Sequence, residues 1–256
     1  MKILLLNPNT TTAVTDLLQA AGAQVASPGT ELVAMTARRG VPYIATRAEA
    51  QIGGAIALEM LAETSAGIDA AIIAAFGDPG LFGARELFDI PVVGLAEAAM
   101  LTACMAGQRF SIVTFARALA PWYQECVAMH GLGARCAGIR TLDDGFRSIA
   151  DVQAEKEDML VTLANRAVEQ DGADVVILSG APLAGLATKV SHRILVPVID
   201  PIAAAVRQAE TLAVLKLRKP VAGTFRRPDA KATIGLAEPL AAVIEHRPRH
   251  DAEGES

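Results

Sequence analysis

Short, continuous apolar runs recur along this chain, and each is followed by a turn and then a helical pattern. The runs are "KILLLNP" (2–8), "TELVAMTA" (30–37), "AAIIAAF" (70–76), "PVVGL" (91–95), "RFSIVTF" (109–115), "DVVILSG" (174–180) and "VPVID" (196–200). A strand with one wet face alternates polar and apolar residues, whereas these runs hardly alternate, so they predict strands covered on both faces. Between them lie helical stretches such as "TTTAVTDLLQAAGAQ", "TRAEAQIGGAIALEMLAETSA", "AEAAMLTACMAG" and "IADVQAEKEDMLVTLANRAVEQ". Strand–helix alternation of this kind predicts a parallel, doubly wound α/β architecture.

"DAAIIAAFGDPG" and "DVVILSGAPLAG" form a weak internal repeat, each an Asp-led apolar strand followed by a small-residue turn. This predicts two similar lobes. The first spans 1–102 plus 205–235 and the second 103–204, with 236–256 as a C-terminal segment. The basic, Pro-interrupted "KLRKPVAGTFRRPDAK" reads as a wrapping tail, and "EHRPRHDAEGES" as disordered.

Composition excludes several function classes. A net charge of −5 with both signs interspersed leaves no basic footprint for nucleic acid or anionic membrane. Mean hydropathy is +0.36, yet no apolar run reaches the roughly 18 residues of a spanning helix. The start "MKILLLNPNT" breaks too early for a secretory signal, which predicts a cytoplasmic protein. Cys104, Cys126 and Cys136 are odd in number and lack CxxC spacing, so neither a disulfide framework nor a metal site is expected. Neither GxGxxG nor a P-loop occurs, and no cofactor is expected.

Three strand ends share one grammar. "LLLNPNTTTAV", "AAFGDPGLFGA" and "ILSGAPLAGLA" each run from strand through a polar or glycine turn into a helix start. Open α/β sheets bind ligands beyond these carboxyl ends, where unpaired helix N–H groups suit carboxylates or enolate-like oxygens. A small-molecule substrate is the expected partner.

Five collinear segments, "LLLNPNTT", "FGDPGLFGAREL", "PVVGLAEAAM", "RFSIVTF" and "VPVIDPIAAAV", together with the late "AGTFRRP", resemble the aspartate/glutamate/hydantoin racemase superfamily, most closely its hydantoin racemase branch. The likeness extends from about residue 3 to 232. It implies two Rossmann-like lobes related by a pseudo-twofold, with the active site in the cleft between them. One cysteine from each lobe would flank the substrate's stereocentre, one thiolate removing the α-proton and the other thiol returning it.

This sequence departs from that pattern at both cysteines. The first family position is Ala75 and the second Gly180, and neither a methyl group nor a hydrogen moves a proton. A lone Cys→Ala exchange would suit a ligand trap, but Gly180 between Ser179 and Pro182 points to natural divergence. The cleft loops place Asn7, Asn9, Thr10, Tyr43, Ala75, Phe76, Gly77, Thr114, Phe115, Gly180, Ala181 and Pro182 at the ligand. Phe115, where a small polar residue is common in relatives, should make the pocket more apolar.

Each of these has a plainer reading. Asn7, Asn9 and Thr10 suit Asx turns and helix capping, Tyr43 an ordinary loop aromatic, and Asp78 the Asp-Pro-Gly turn. Ser179, Asp78 and Glu97 are weak catalytic candidates; Ser179 lacks an obvious base, His192 is expected on the outside, and His130, His246 and His250 are expected to be exposed. The first functional expectation is a hydantoin-racemase-family enzyme acting on a small five-membered cyclic ureide or a related amino-acid derivative through enolate or oxyanion stabilisation, with two-cysteine racemisation lost. Alternatives are a hydrolase or lyase acting on such a ring by water attack on a carbonyl or thiocarbonyl carbon, a decarboxylase, and a non-catalytic binder. Ala-rich helical surfaces are compatible with a homo-oligomer.

Overall fold

The computed structural model describes residues 1–142, 145, 148, 149 and 151–248. Strands β1 (Lys2–Asn7), β2 (Glu31–Thr36), β3 (Ala70–Ile73) and β4 (Val92–Gly94) form a parallel sheet in the order β2-β1-β3-β4. Strands β5 (Phe110–Thr114), β6 (Cys136–Thr141), β7 (Val175–Leu178) and β8 (Val198–Ile199) form a second, in the order β6-β5-β7-β8. Counted within its own sheet, each order is 2-1-3-4. The chain therefore uses one topology twice, the α/β arrangement of paired Rossmann-like lobes.

The repeat has a physical anchor. Asp69 and Asp174 precede β3 and β7, and each carboxylate accepts a backbone N–H at the start of the neighbouring strand: Lys2 N, the first of β1, at 2.7 Å in one sheet, and Arg109 N, just before β5, at 2.8 Å in the other. Both aspartates thus pin the register of the central strand pair. In each sheet the strand order reverses there, between β1 and β3 and between β5 and β7, which are the switch points where α/β sheets open a crevice.

The helices are α1 (Thr12–Val25), α2 (Arg47–Thr64), α3 (Leu81–Leu87), α4 (Leu95–Ala106), α5 (Ala120–Met129), α6 (Val152–Asp171), α7 (Leu186–Val190), α8 (Pro201–Leu215) and α9 (Glu238–Ile244). Caps fix two of the starts. Thr46 and Glu49 form a reciprocal capping box on α2, and Asp200 caps α8 ahead of Pro201. Strand β1 shows why its run does not alternate: Ile3 and Leu5 enter one core while Leu4 and Leu6 enter another on the opposite face. The first core continues into the second sheet through Ile112, Val113 and Phe115.

Three features lie outside the sequence expectations. Strand β6 is absent from the apolar runs because "CAGIRT" sits at a sheet edge, half-buried throughout, and needs no continuous hydrophobicity; Cys136 opens this strand. Helix α8 returns from the second sheet to pack on α1, α4 and β3. Helix α9 packs on α2, and its Leu240 and Val243 join the core of the first sheet, so the segment after 235 is partly built in. The end of "EHRPRHDAEGES", from 249 on, lies outside the described residues, as does His250.

Candidate active site

The turns after β3 and β7 converge. Ala75 and Gly180 line one narrow cavity of about 20 Å³, together with Asn9, Tyr43, Phe76 and Tyr123. Ile44, Trp122, Ala181 and Pro182 complete the wall. Such a volume admits about one water molecule.

Aromatic rings enclose the cavity. Tyr43 packs 5.8 Å from Phe115, Phe76 4.8 Å from Tyr123 and Tyr123 5.6 Å from Trp122, centroid to centroid. Burial raises the phenols of Tyr43 and Tyr123 well above their ordinary value, with the nearby charge of Glu49 adding to the shift at Tyr43 and the Tyr43 phenol to that at Tyr123. Both are neutral hydrogen-bonding groups rather than bases.

A side chain at position 180 would be strained. Gly180 has φ +113°, and a β-carbon there would lie 2.7 Å from Cε1 of Phe115. The larger residue fills the space that a side chain at 180 would need. Ala75 is different: it already carries a β-carbon, is 6% exposed and does not have a positive φ.

The remaining expected site residues stand behind the wall. Asn7 is fully buried, and its amide donates to Asn9 Oδ1, the Thr11 carbonyl and Thr15 Oγ1, so it organises the loop that presents Asn9. Thr10 bonds through its backbone to Val41. Thr114 Oγ1 donates to the Ser179 carbonyl at 3.0 Å, and Ser179 Oγ to the Val113 carbonyl at 3.2 Å; these hydroxyls tie β5 to β7. His192 is exposed, so no Ser–His pair forms at Ser179. Gly77 and Asp78 line a separate cavity of about 540 Å³, which shares Trp122 as its wall.

Asp78 acts as a helix brace, because its two carboxylate oxygens accept the Ala96 and Glu97 N–H groups, each at 2.8 Å, at the start of α4. His130 corrects an expectation, for its side chain is only 4% exposed. The C-terminal end of α5 carries it into a pocket where Nε2–H meets Asp78 at 3.1 Å and Nδ1–H meets Glu97 at 3.5 Å. Burial alone would lower the imidazole, but hydrogen bonds to Asp78 and Glu97, and then their charges, outweigh it and raise His130 to about 9. Burial likewise opposes ionisation of Glu97, yet hydrogen bonds from His130 and Arg85 bring it down to about 2. Arg85 grips Glu97 with both guanidinium amines.

Donor atoms of Asp78, Cys126 and His130 fall within 4.8 Å of one another, close enough for a metal ion. Both imidazole nitrogens are directed at carboxylates, however, and burial followed by the charges of Asp78 and Glu97 pushes the Cys126 thiol up. The cluster is a proton-bridged ion network.

The sequence reading did not point to Trp122 and Tyr123 as cavity walls or to His130 as buried against carboxylates. The legible signal was "PWYQECVAMH", a Pro-led helix start bearing an aromatic pair just after a strand's carboxyl end.

Comparison with known proteins gives the family and the fold. The Asp/Glu/Hydantoin racemase family model matches residues 3–209. A hydantoin racemase from Pseudomonas sp. (strain NS671) is 35% identical over 84% of this chain and 87% of its own, and one from Paenarthrobacter aurescens is 36% identical over 84% and 92%. The structure of an allantoin racemase from Klebsiella pneumoniae superposes with a TM-score of 0.88 at 35% identity, covering 94% of this chain and 98% of that one.

Proposed function

The chain belongs to the Asp/Glu/hydantoin racemase family, and on that premise we propose that it acts on a small five-membered cyclic ureide, a hydantoin-like ring, or a related amino-acid derivative. The observation that carries this reading is that Ala75 and Gly180, equivalent turn positions of two like sheets, line the same cavity.

A ring seated there would have its stereocentre between the two turns. Its C–H is acidified by the flanking carbonyl, and main-chain N–H groups of the turns would hold the enolate oxygen, an arrangement that stabilises charge only as it develops. Asn9 and the neutral tyrosines supply further polar contacts around the ring. A cavity of about 20 Å³ is too small for such a ring, so binding requires its wall to widen.

Two-thiol racemisation requires a proton acceptor on each face. Here one face offers a methyl group and the other a hydrogen backed by Phe115. Among the described residues that line the cavity, none ionises near neutrality. That observation also favours a second reading, a non-catalytic ureide binder on the same scaffold, ahead of hydrolase, lyase or decarboxylase chemistry.

The test is to add enantiopure 5-substituted hydantoins in D2O, following Trp122 fluorescence, optical rotation and C5 deuteration. Saturable fluorescence change with slow or absent deuteration is expected. Rapid loss of rotation overturns the claim of lost racemisation, and no binding across a panel of hydantoins and thiohydantoins overturns the ureide reading. Measurable deuteration separates the enzyme from the binder.

A further inference from the structure

His130 links the two halves of the molecule through charge. It follows α5, which belongs with the second sheet, yet its ring faces carboxylates of the first half: Asp78 on the turn after β3 and Glu97 in the first turn of α4. Among the described residues, the other charged or titratable groups facing this cluster are Arg85 of α3, which grips Glu97, Cys126, one turn back on α5, and the buried Tyr123 phenol, which feels the charge of Asp78. The Phe82 ring closes the pocket edge-on at 5.5 Å. With a neutral imidazole the cluster would hold two carboxylates against one guanidinium; a protonated one balances it, which a buried network requires.

The same turn holds the other end of α5. Trp122, in the first turn of that helix, packs so closely on Gly77 that a β-carbon there would lie 2.3 Å from Cζ2 of the indole. Trp122 also lines the cavity containing Ala75 and Gly180. Helix α5 is thus fastened at both ends to residues 77 and 78, and its N-terminal end forms the cavity wall.

We propose that His130, as an imidazolium, is a positioning residue that clamps α5 to the Gly77–Gly80 turn and so sets the wall of the cleft cavity. Loss of its proton slackens that wall. The inference does not depend on which ligand the cavity takes, because the chain's only tryptophan, Trp122, reports on the wall without one.

The experiment titrates the intact, ligand-free chain from about pH 6 to pH 10.5, recording Trp122 emission and the His130 ring resonance by NMR. Both should change with one midpoint near 9, the emission moving to longer wavelength as the wall opens. In His130→Gln the emission at neutral pH should already match the high-pH form of the unaltered chain, with no midpoint near 9. Should that variant not fold, Glu97→Gln keeps the histidine and Asp78, and should lower both midpoints by roughly one pH unit. A His130 resonance that titrates near its ordinary value overturns the proposal. So does an emission change that persists in His130→Gln, or a histidine transition that leaves Trp122 unmoved.

Discussion

The turns after β3 and β7 occupy the same place in two sheets of the same order, and they hold themselves together by different means. The first, Ala75 to Gly80, is braced by charge: Asp78 caps α4 and meets His130, while Glu97 meets His130 and Arg85. The second, Ser179 to Gly185, has no such ion network among the described residues: Thr114 and Ser179 hydroxyls donate to main-chain carbonyls, Gln153 donates to the Pro182 and Ala184 carbonyls, the Asp200 carboxylate accepts the Gly185 N–H at 2.6 Å, and Phe115 sits over Gly180. One strand order therefore carries two differently built corners at the cavity. One corner retains room and backbone geometry for a side chain; the other does not.

The comparison can be broken most sharply at Asp78. Asp78→Ala removes the α4 cap and one of the two carboxylates that His130 faces, a buried-pair loss on the order of 3–5 kcal/mol in urea denaturation. An effect near zero would show that charge does not brace the first turn.

Gly180→Cys comes next. A forced positive φ together with the Phe115 contact should cost about 2–4 kcal/mol, and pairing the change with Phe115→Ala should recover part of that. By contrast Ala75→Cys should stay within about 1 kcal/mol, while raising C5 deuteration of a hydantoin above that of the unaltered chain. Equal costs for the two cysteines would dissolve the distinction between the corners.

The pH dependence has a worked sign. The folded-state value for His130 is raised to about 9, so its contribution is complete below the unfolded value of about 6.5 and fades as pH rises through 9. Glu97 is lowered to about 2, so its contribution holds above the unfolded value of about 4.5 and fades as pH falls toward 2. Rim water screens this cluster, and a contribution on the order of 1–2 kcal/mol is expected from the histidine. Denaturation midpoints at pH 7 and pH 10 measure it, with His130→Gln abolishing the difference.

The smallest effect tests the shared frame. Asp69→Ala and Asp174→Ala each remove a carboxylate that anchors an N–H group at the start of a neighbouring strand, and each should cost about 1–2 kcal/mol. Markedly unequal losses would show that the symmetry of the strand order does not extend to its anchors.

By itself the sequence determined the strand–helix alternation, the Asp-led repeat of β3 and β7, and the loops at their carboxyl ends, because these are properties of consecutive residues: period, turn chemistry and hydrophobic continuity. The family resemblance also drew attention to Ala75 and Gly180, which the structure brings to one cavity. Edge strand β6 escaped because a half-buried strand needs no continuous apolar run. Only the tertiary structure decided that Phe115 fills the space over Gly180, that Trp122 and Tyr123 wall the cavity, and that His130 reaches Asp78 across 52 residues of chain. A lone histidine or aromatic has no local signature of its partner; burial and charge acquire meaning only once the second sheet folds against the first.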